Sequence, residues 1–296
     1  MKRGTFFFSG SVFILVGLFS SFCMAGDSGS RGNIGGTASG LTAGSSITLS
    51  NNGGDPLTVS ANGRFLFPSP IPKGATYNVT IASQPENLRC IVQNGTGTVS
   101  GRAPANIIVT CPMAYQDSLV WMRCTHGQKW NVAKGDCTGN GKADSFGALQ
   151  LRYCSTNNTA CNGGSNTGTL DSGEVFQACN DLNAGEGTYG ITGWRVPTKE
   201  ESAGLVVCSD GTRTPLRDYN ADPYKCGYNG KSYTTKGWIA PALNTALFPN
   251  SRPFEYWTAT PSSNQASSAW YTAFQNGWTQ TASKSGRSFV RCVSGP

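Results

Sequence analysis

Gly193-Trp194-Arg195-Val196-Pro197-Thr198-Lys199-Glu200-Glu201-Ser202-Ala203-Gly204-Leu205-Val206-Val207 reads as a strand that hands over to a helix within one residue. Trp194 and Val196 alternate with Arg195 as on a half-buried strand. Pro197 stops the ladder, and Thr198 with Glu201 three residues on spells a capping box. The spacing predicts a helix from Lys199 to Val207, with Leu205 and Val206 on its inner face and Cys208 at its exit, where a disulfide can pin it. The segments downstream look built to pack on this corner.

At the other end, Lys2 and Arg3 precede an apolar run from Val12 to Phe19, and Cys23-Met24-Ala25 offers small residues at the positions a signal peptidase reads. Residues 1–25 are expected to be a signal peptide. A lipoprotein signal places its Cys after a small residue, whereas Cys23 follows Phe22, so lipidation fits poorly. No other run approaches the roughly 18 apolar residues that span a bilayer, so the remainder is expected not to be membrane-spanning. The final address reads as secreted or cell-surface, with the periplasm open.

The chain has 11 cysteines, and cutting after Ala25 leaves an even set: Cys90, Cys111, Cys124, Cys137, Cys154, Cys161, Cys179, Cys208, Cys226 and Cys292. An even number in an exported chain reads as a disulfide framework. Zinc needs closely spaced thiolates, but no Cys-x-x-Cys occurs and His126 is the sole histidine. Of the formal net charge of +7, Lys2 and Arg3 supply two, so the mature chain keeps +5. That modest excess permits an anionic partner and falls short of what nucleic-acid binding asks for.

Glycine recurs every third residue from Gly26 to Gly35, the collagen period, but four triplets without proline cannot hold a triple helix. Residues 26–35 are expected to be a flexible linker. From 36 to 112 short alternating runs are separated by turn residues such as Asn51-Asn52-Gly53-Gly54-Asp55 and Ala61-Asn62-Gly63. They predict about seven strands in an all-β sandwich. Cys90 and Cys111 sit on two of its later strands and are expected to pair. Leu57-Thr58-Val59-Ser60-Ala61-Asn62-Gly63 and the stretch from Tyr77 to Cys90 resemble the Ig-like repeats that bacterial surface proteins use as spacers, which implies presentation of a neighbour.

From 113 to 296 the composition shifts to Trp, Tyr and Cys, and all seven Trp lie here. The order of motifs is Trp121-Met122-Arg123-Cys124, Gly127-Gln128-Lys129-Trp130-Asn131, Cys137-Thr138-Gly139 and a helical Phe176-Gln177-Ala178-Cys179-Asn180-Asp181-Leu182. The Gly193 corner follows, then Phe248-Pro249-Asn250, Tyr256 to Pro261, Trp270 to Gly277 and Phe289-Val290-Arg291-Cys292-Val293. This series resembles the domain at the C-terminus of the Legionella collagen-like adhesin, from about Trp121 to the end. It is also similar to the α+β, disulfide-rich C-type lectin-like arrangement, in which a first helix is bridged to the last strand. The resemblance implies surface location, no catalysis, and binding of sulfated glycosaminoglycan in adhesion. The long collagen-like region of the adhesin is absent, and the segment from Leu151 to Ser172 is an insertion relative to the pattern. Local spacing suggests Cys124 with Cys137, Cys154 with Cys161, and Cys208 with Cys226. The lectin-like arrangement suggests Cys179 with Cys292.

A sulfated ligand asks for cations able to grip a permanently ionised oxyanion. Arg213, Arg217, Lys225, Lys231 and Lys236 lie among Tyr219, Tyr224, Tyr228 and Tyr233, and Lys284, Arg287 and Arg291 form a second set. Asp210, Asp218 and Asp222 interleave with the first, so a scattered solvated surface is the competing reading. Arg195 and Arg291, on predicted strands, also fit structural pairing with Glu200, Glu201 or Glu255. Asp136 to Asp144 partly spells a calcium loop, but Gly147 stands where the bidentate Glu belongs and Lys142 repels, so a turn without metal is expected. No cofactor is expected. No nucleophile elbow accompanies His126, and sequence places no two of Glu174, Asp181, Glu200, Glu201 and Glu255 across a cleft. The reading is a non-catalytic polysaccharide binder using Arg213, Arg217, Lys225, Lys231, Lys236, Lys284 and Arg287. The principal rival is a protein-binding module that uses its Trp-rich loops, and a glycan-acting enzyme is the remoter one.

Overall fold

The computed structural model describes residues 1, 30–101, 106–139, 146–154, 173–208, 211, 213 and 240–296. The described chain is β-rich: nineteen strands stand against the short helices Glu174–Asn180 and Lys199–Ala203 and one 3-10 turn, Asp181–Asn183. The expected signal peptide lies outside the described residues apart from Met1.

Two sheets share the first core. One has the order Gly54–Val59, Ile47–Asn51, Thr76–Ser83, Thr96–Thr98; the other runs Val293–Ser294, Leu119–Met122, Ile107–Gln116, Gly35–Ser39, Gly63–Leu66, with Leu88–Gln93 also paired to Ile107–Gln116. The period-2 pattern of Ile47–Asn51 buries Ile47, Leu49 and Asn51 and leaves the residues between half-exposed. Asn52 and Gly53 hold left-handed backbone (φ 53° and 74°), which turns Ile47–Asn51 back into Gly54–Val59. Cys90 and Cys111 are bonded, joining neighbouring strands as expected.

Two expectations are corrected here. The glycine-rich segment is not a free linker up to residue 35: Arg31–Gly32 already pairs with Ile71–Pro72, and Ile34 is buried in the core. Its glycines serve close approach, since a Cβ on Gly32 would lie 2.3 Å from the Gly101 carbonyl oxygen and one on Gly35 2.5 Å from that of Phe65. Second, the boundary expected between 112 and 113 falls inside one ten-residue strand, Ile107–Gln116. The front half of that strand pairs in parallel with Gly35–Ser39 and its rear half antiparallel with Leu119–Met122. Leu119–Met122 in turn pairs with Val293–Ser294, and one core runs from Ile34 through Val109 and Trp121 to Val206, Phe248 and Phe289.

Beyond this sheet, Arg195 exchanges both backbone hydrogen bonds with Val293, at 2.8 and 2.9 Å, so Trp194 and Val196 point into a second core as the alternation predicts. Thr198 and Glu201 form the capping box. The helix is shorter than expected and ends at Ala203, because Gly204 closes it and Val206 and Val207 turn to bridge Leu243 and Arg213. Leu205 and Val206 are nevertheless buried. Arg195 grips Glu201 with two bonds of 2.7 Å, one of the structural pairings read from the sequence. The strands Glu255–Pro261, Ser268–Ala273 and Trp278–Ser283 form a sheet whose Trp257 and Tyr271 pack edge-on to each other, while Tyr153 packs edge-on to Trp257 and Phe176. Cys124 is bonded to Cys137, and Cys179 on the first helix to Cys292 beside the last strand, both as expected. Cys154 and Cys208 are also disulfide-bonded. Their expected partners, Cys161 and Cys226, lie outside the described residues.

Two buried arginines hold the parts together. Arg123 donates to the carbonyls of Gly40 (2.6 Å), Cys111 (2.7 Å), Ala246 (2.8 Å) and Leu247 (2.7 Å). Arg291 donates to the carbonyls of Met122 and Arg123, to Thr125 Oγ1 and to Ser251 Oγ, and lies over the Phe248 ring. Its expected carboxylate partner is replaced by carbonyls, hydroxyls and aromatic faces. Burial, reinforced by the neighbouring Arg291 cation, pushes Arg123 down to about 10, and burial likewise lowers Arg291. Arg123 remains cationic at neutral pH. Arg123→Met removes donors from four carbonyls at once and is expected to cost about 3 kcal/mol or more in chemical unfolding; an unchanged midpoint would contradict the role given to it.

Candidate functional site

The cations expected to face a ligand are dispersed. Arg213 has a side chain 41% exposed and is paired with Asp117, whose Oδ1 it meets at 3.2 Å, while Nη2 donates to the Gly204 carbonyl. Asp117 reaches it because Asp117 and Ser118 adopt left-handed backbone (φ 55° and 63°) in the two-residue hairpin between Ile107–Gln116 and Leu119–Met122. Arg217, Lys225, Lys231 and Lys236 lie outside the described residues.

Lys284 differs most from expectation. It is 0% exposed, and its Nζ sits 5.7 Å from the centre of the Tyr153 ring. Its backbone is fixed on both sides, by Ser267 and by Cys154. Burial lowers its pKa. Sequence spacing grouped it with Arg287, but the turn between the two strands sends one inward and the other out.

Arg287, 50% exposed, remains at the surface, and the sheet supplies it with a neighbour that the sequence reading passed over. The strand Leu151–Arg152 pairs antiparallel with Arg287–Ser288, so Arg152 stands directly opposite Arg287 and both are exposed. Opposed residues of an antiparallel pair have Cβ atoms roughly 5 Å apart and share a face, where like charges repel. Glu174 offsets the repulsion: its Oε2 accepts the Arg152 backbone N–H at 3.0 Å and lies 3.5 Å from Arg287 Nη1, which also donates to the Gln150 carbonyl at 3.0 Å. Glu174 can stand there because its helix begins hard against Tyr153, with Gly173 at the junction; a Cβ on Gly173 would lie 1.8 Å from the Tyr153 carbonyl oxygen. One carboxylate takes the Arg287 guanidinium and the Arg152 backbone N–H on an open ribbon, beside a second exposed guanidinium, and the arrangement can hold an oxyanion.

The other groups weighed from the sequence are placed apart. Glu200 pairs with Lys199, whose Nζ lies over the Trp270 ring, Asp181 accepts from Gln177, and Glu201 serves Arg195. His126 is tied through its backbone to Val290 and Leu149; burial lowers its pKa, with Asp181 opposing. Asp136–Thr138 is a strand paired with Lys129–Asn131, and Asn140 to Asp144 of the calcium-like loop lie outside the described residues. Among the described residues no cluster of three His, Cys, Asp or Glu is placed to hold a metal ion, and no helix is long and apolar enough to cross a membrane. Trp121, Trp194 and Trp257 are core residues, which removes them from any surface patch; Trp130, Trp270 and Trp278 are half-buried.

The Lcl C-terminal domain model matches residues 115–294, more than half of the chain. The chain belongs to the Lcl C-terminal domain family. The matched span begins inside Ile107–Gln116 and ends with the last strand, so the Lcl C-terminal unit shares its sheet with the segment before it. No curated protein and no solved structure matches the chain significantly.

Lys284→Glu, which would bury a carboxylate beside the Tyr153 ring, is expected to lower stability by about 3 kcal/mol or more. Arg287→Ala, at an exposed ion pair, should change it by less than about 1 kcal/mol. Urea denaturation of the two variants checks the contrast; equal shifts would count against it.

Proposed function

We propose that the chain is an exported, non-catalytic, adhesin-type protein whose Lcl C-terminal domain binds sulfated polysaccharide, such as a glycosaminoglycan, at a bacterial surface or in the medium. The observation that carries the reading is the exposed pair Arg152 and Arg287, opposed across one ribbon, with the Glu174 carboxylate paired to Arg287. Guanidiniums match sulfate with paired donors. Within the proposal, the strands before residue 113 serve as an Ig-like spacer and the rest follows the C-type lectin-like plan without calcium. The disulfides suit an oxidising, extracytoplasmic compartment. The protein-binding rival draws less support, because half of the described Trp side chains are spent on the core.

On immobilised heparin the purified protein is expected to elute above physiological salt and to pass through a neutral polysaccharide column. Arg152→Glu combined with Arg287→Glu should bring heparin elution to lower salt with the unfolding midpoint kept. Flow-through of the wild-type protein on both columns would sink the reading; unchanged elution of the double variant would move the site elsewhere.

A further inference from the structure

We propose that Glu174 is an internal occupant of an oxyanion site formed by the Arg152 backbone N–H and the Arg287 guanidinium, and that an anionic glycan binds there by displacing it. This inference rests on the polysaccharide-binding reading and names how that site is regulated.

One carboxylate oxygen, Glu174 Oε2, takes both donors: the Arg152 N–H at 3.0 Å and Arg287 Nη1 at 3.5 Å. A sulfate or carboxylate oxygen of a ligand asks for the same two donors, so the site is shaped for an oxyanion and already holds one. The internal grip is ordinary at the Arg152 N–H and loose at the cation. Charge-assisted N–H···O bonds run near 2.8 Å, and the Arg287 contact is well beyond that. Both side chains are open to solvent, Arg287 at 50% and Glu174 at 41% exposure, so an exchange of partners uncovers no core. The Arg152 guanidinium, exposed directly opposite Arg287, is given no contact by Glu174, whose bond to this residue is to the backbone. A polyanion can therefore recruit a second cation that the internal carboxylate leaves unused. Swinging Glu174 away costs an exposed ion pair, which is small, so displacement is thermodynamically cheap.

The test measures affinity for dextran sulfate, polygalacturonate and neutral dextran by titration calorimetry, on wild type, Glu174→Gln, Glu200→Gln and Glu174→Gln/Arg287→Ala, with melting curves for each. Glu174→Gln keeps an acceptor for the Arg152 N–H and removes the competing charge. It is expected to bind dextran sulfate about two- to five-fold more tightly, the range an exposed ion pair corresponds to. Glu200→Gln removes a like charge elsewhere and should leave affinity unchanged, and the added Arg287→Ala should erase the gain. The same gain on polygalacturonate would assign the site to oxyanions in general, and a gain on dextran sulfate alone to sulfate. Equal gains in Glu174→Gln and Glu200→Gln reduce the effect to net charge and overturn the inference, as does unchanged or weaker binding by Glu174→Gln; either result leaves the polysaccharide-binding reading standing if wild type binds. No binding by wild type or Glu174→Gln overturns both.

Discussion

Arg123 is the residue on which the arrangement of the chain depends. Its guanidinium is almost fully buried and takes four carbonyls from three distant segments: Gly40 in the first strands, Cys111 in the long strand, and Ala246 with Leu247 near the C-terminal sheet. A buried cation without a carboxylate is tolerated only when dipoles surround it. Here the dipoles are backbone carbonyls, so satisfying the charge fixes where three pieces of backbone must run. Arg291 extends the same logic, holding the Arg123 carbonyl on one side and Ser251 on the other. The loop between Asn244 and Arg252 is thereby set against the sheet, with Gln128 donating to the Asn250 carbonyl and Asn250 to that of Cys137.

The local grammar of the corner at Gly193 was legible because it depends on neighbours in sequence. The capping box needs only Thr198 and Glu201, and the Arg195–Glu201 pair spans six residues. Cys90–Cys111 and Cys124–Cys137 followed from strand placement and short spacing, whereas Cys179–Cys292 came from resemblance, since 113 residues separate the two. Helix length misled because Leu205 and Val206 are buried although the helix ends at Ala203 and Val206 and Val207 form bridges to Leu243 and Arg213. The glycines before residue 36 looked like a spacer, since composition does not distinguish glycine chosen for freedom from glycine chosen for close contact with the Gly101 and Phe65 carbonyls.

The candidate site was less legible, for a related reason. Grouping cations by nearness in sequence joined Lys284 to Arg287, which a turn sends to opposite environments. It separated Arg287 from Arg152, which strand register brings face to face although they lie far apart in sequence. The alternation Leu151-Arg152-Tyr153, one cation between two apolar residues, was the available signal, and its place in an apparent insertion masked it. Membership of the Lcl C-terminal domain family was recognisable from the ordered Trp and Cys motifs, many of which hold core positions such as Trp121, Trp194, Trp257 and Cys292.

The central structural claim is that the Lcl C-terminal unit and the strands before it form one cooperative body, joined by a shared sheet and by Arg123. Differential scanning calorimetry of the purified, disulfide-intact chain tests it most directly. The account predicts a single transition whose calorimetric and van't Hoff enthalpies agree. Two separable transitions, with the segment before residue 113 melting independently of the remainder, would contradict it.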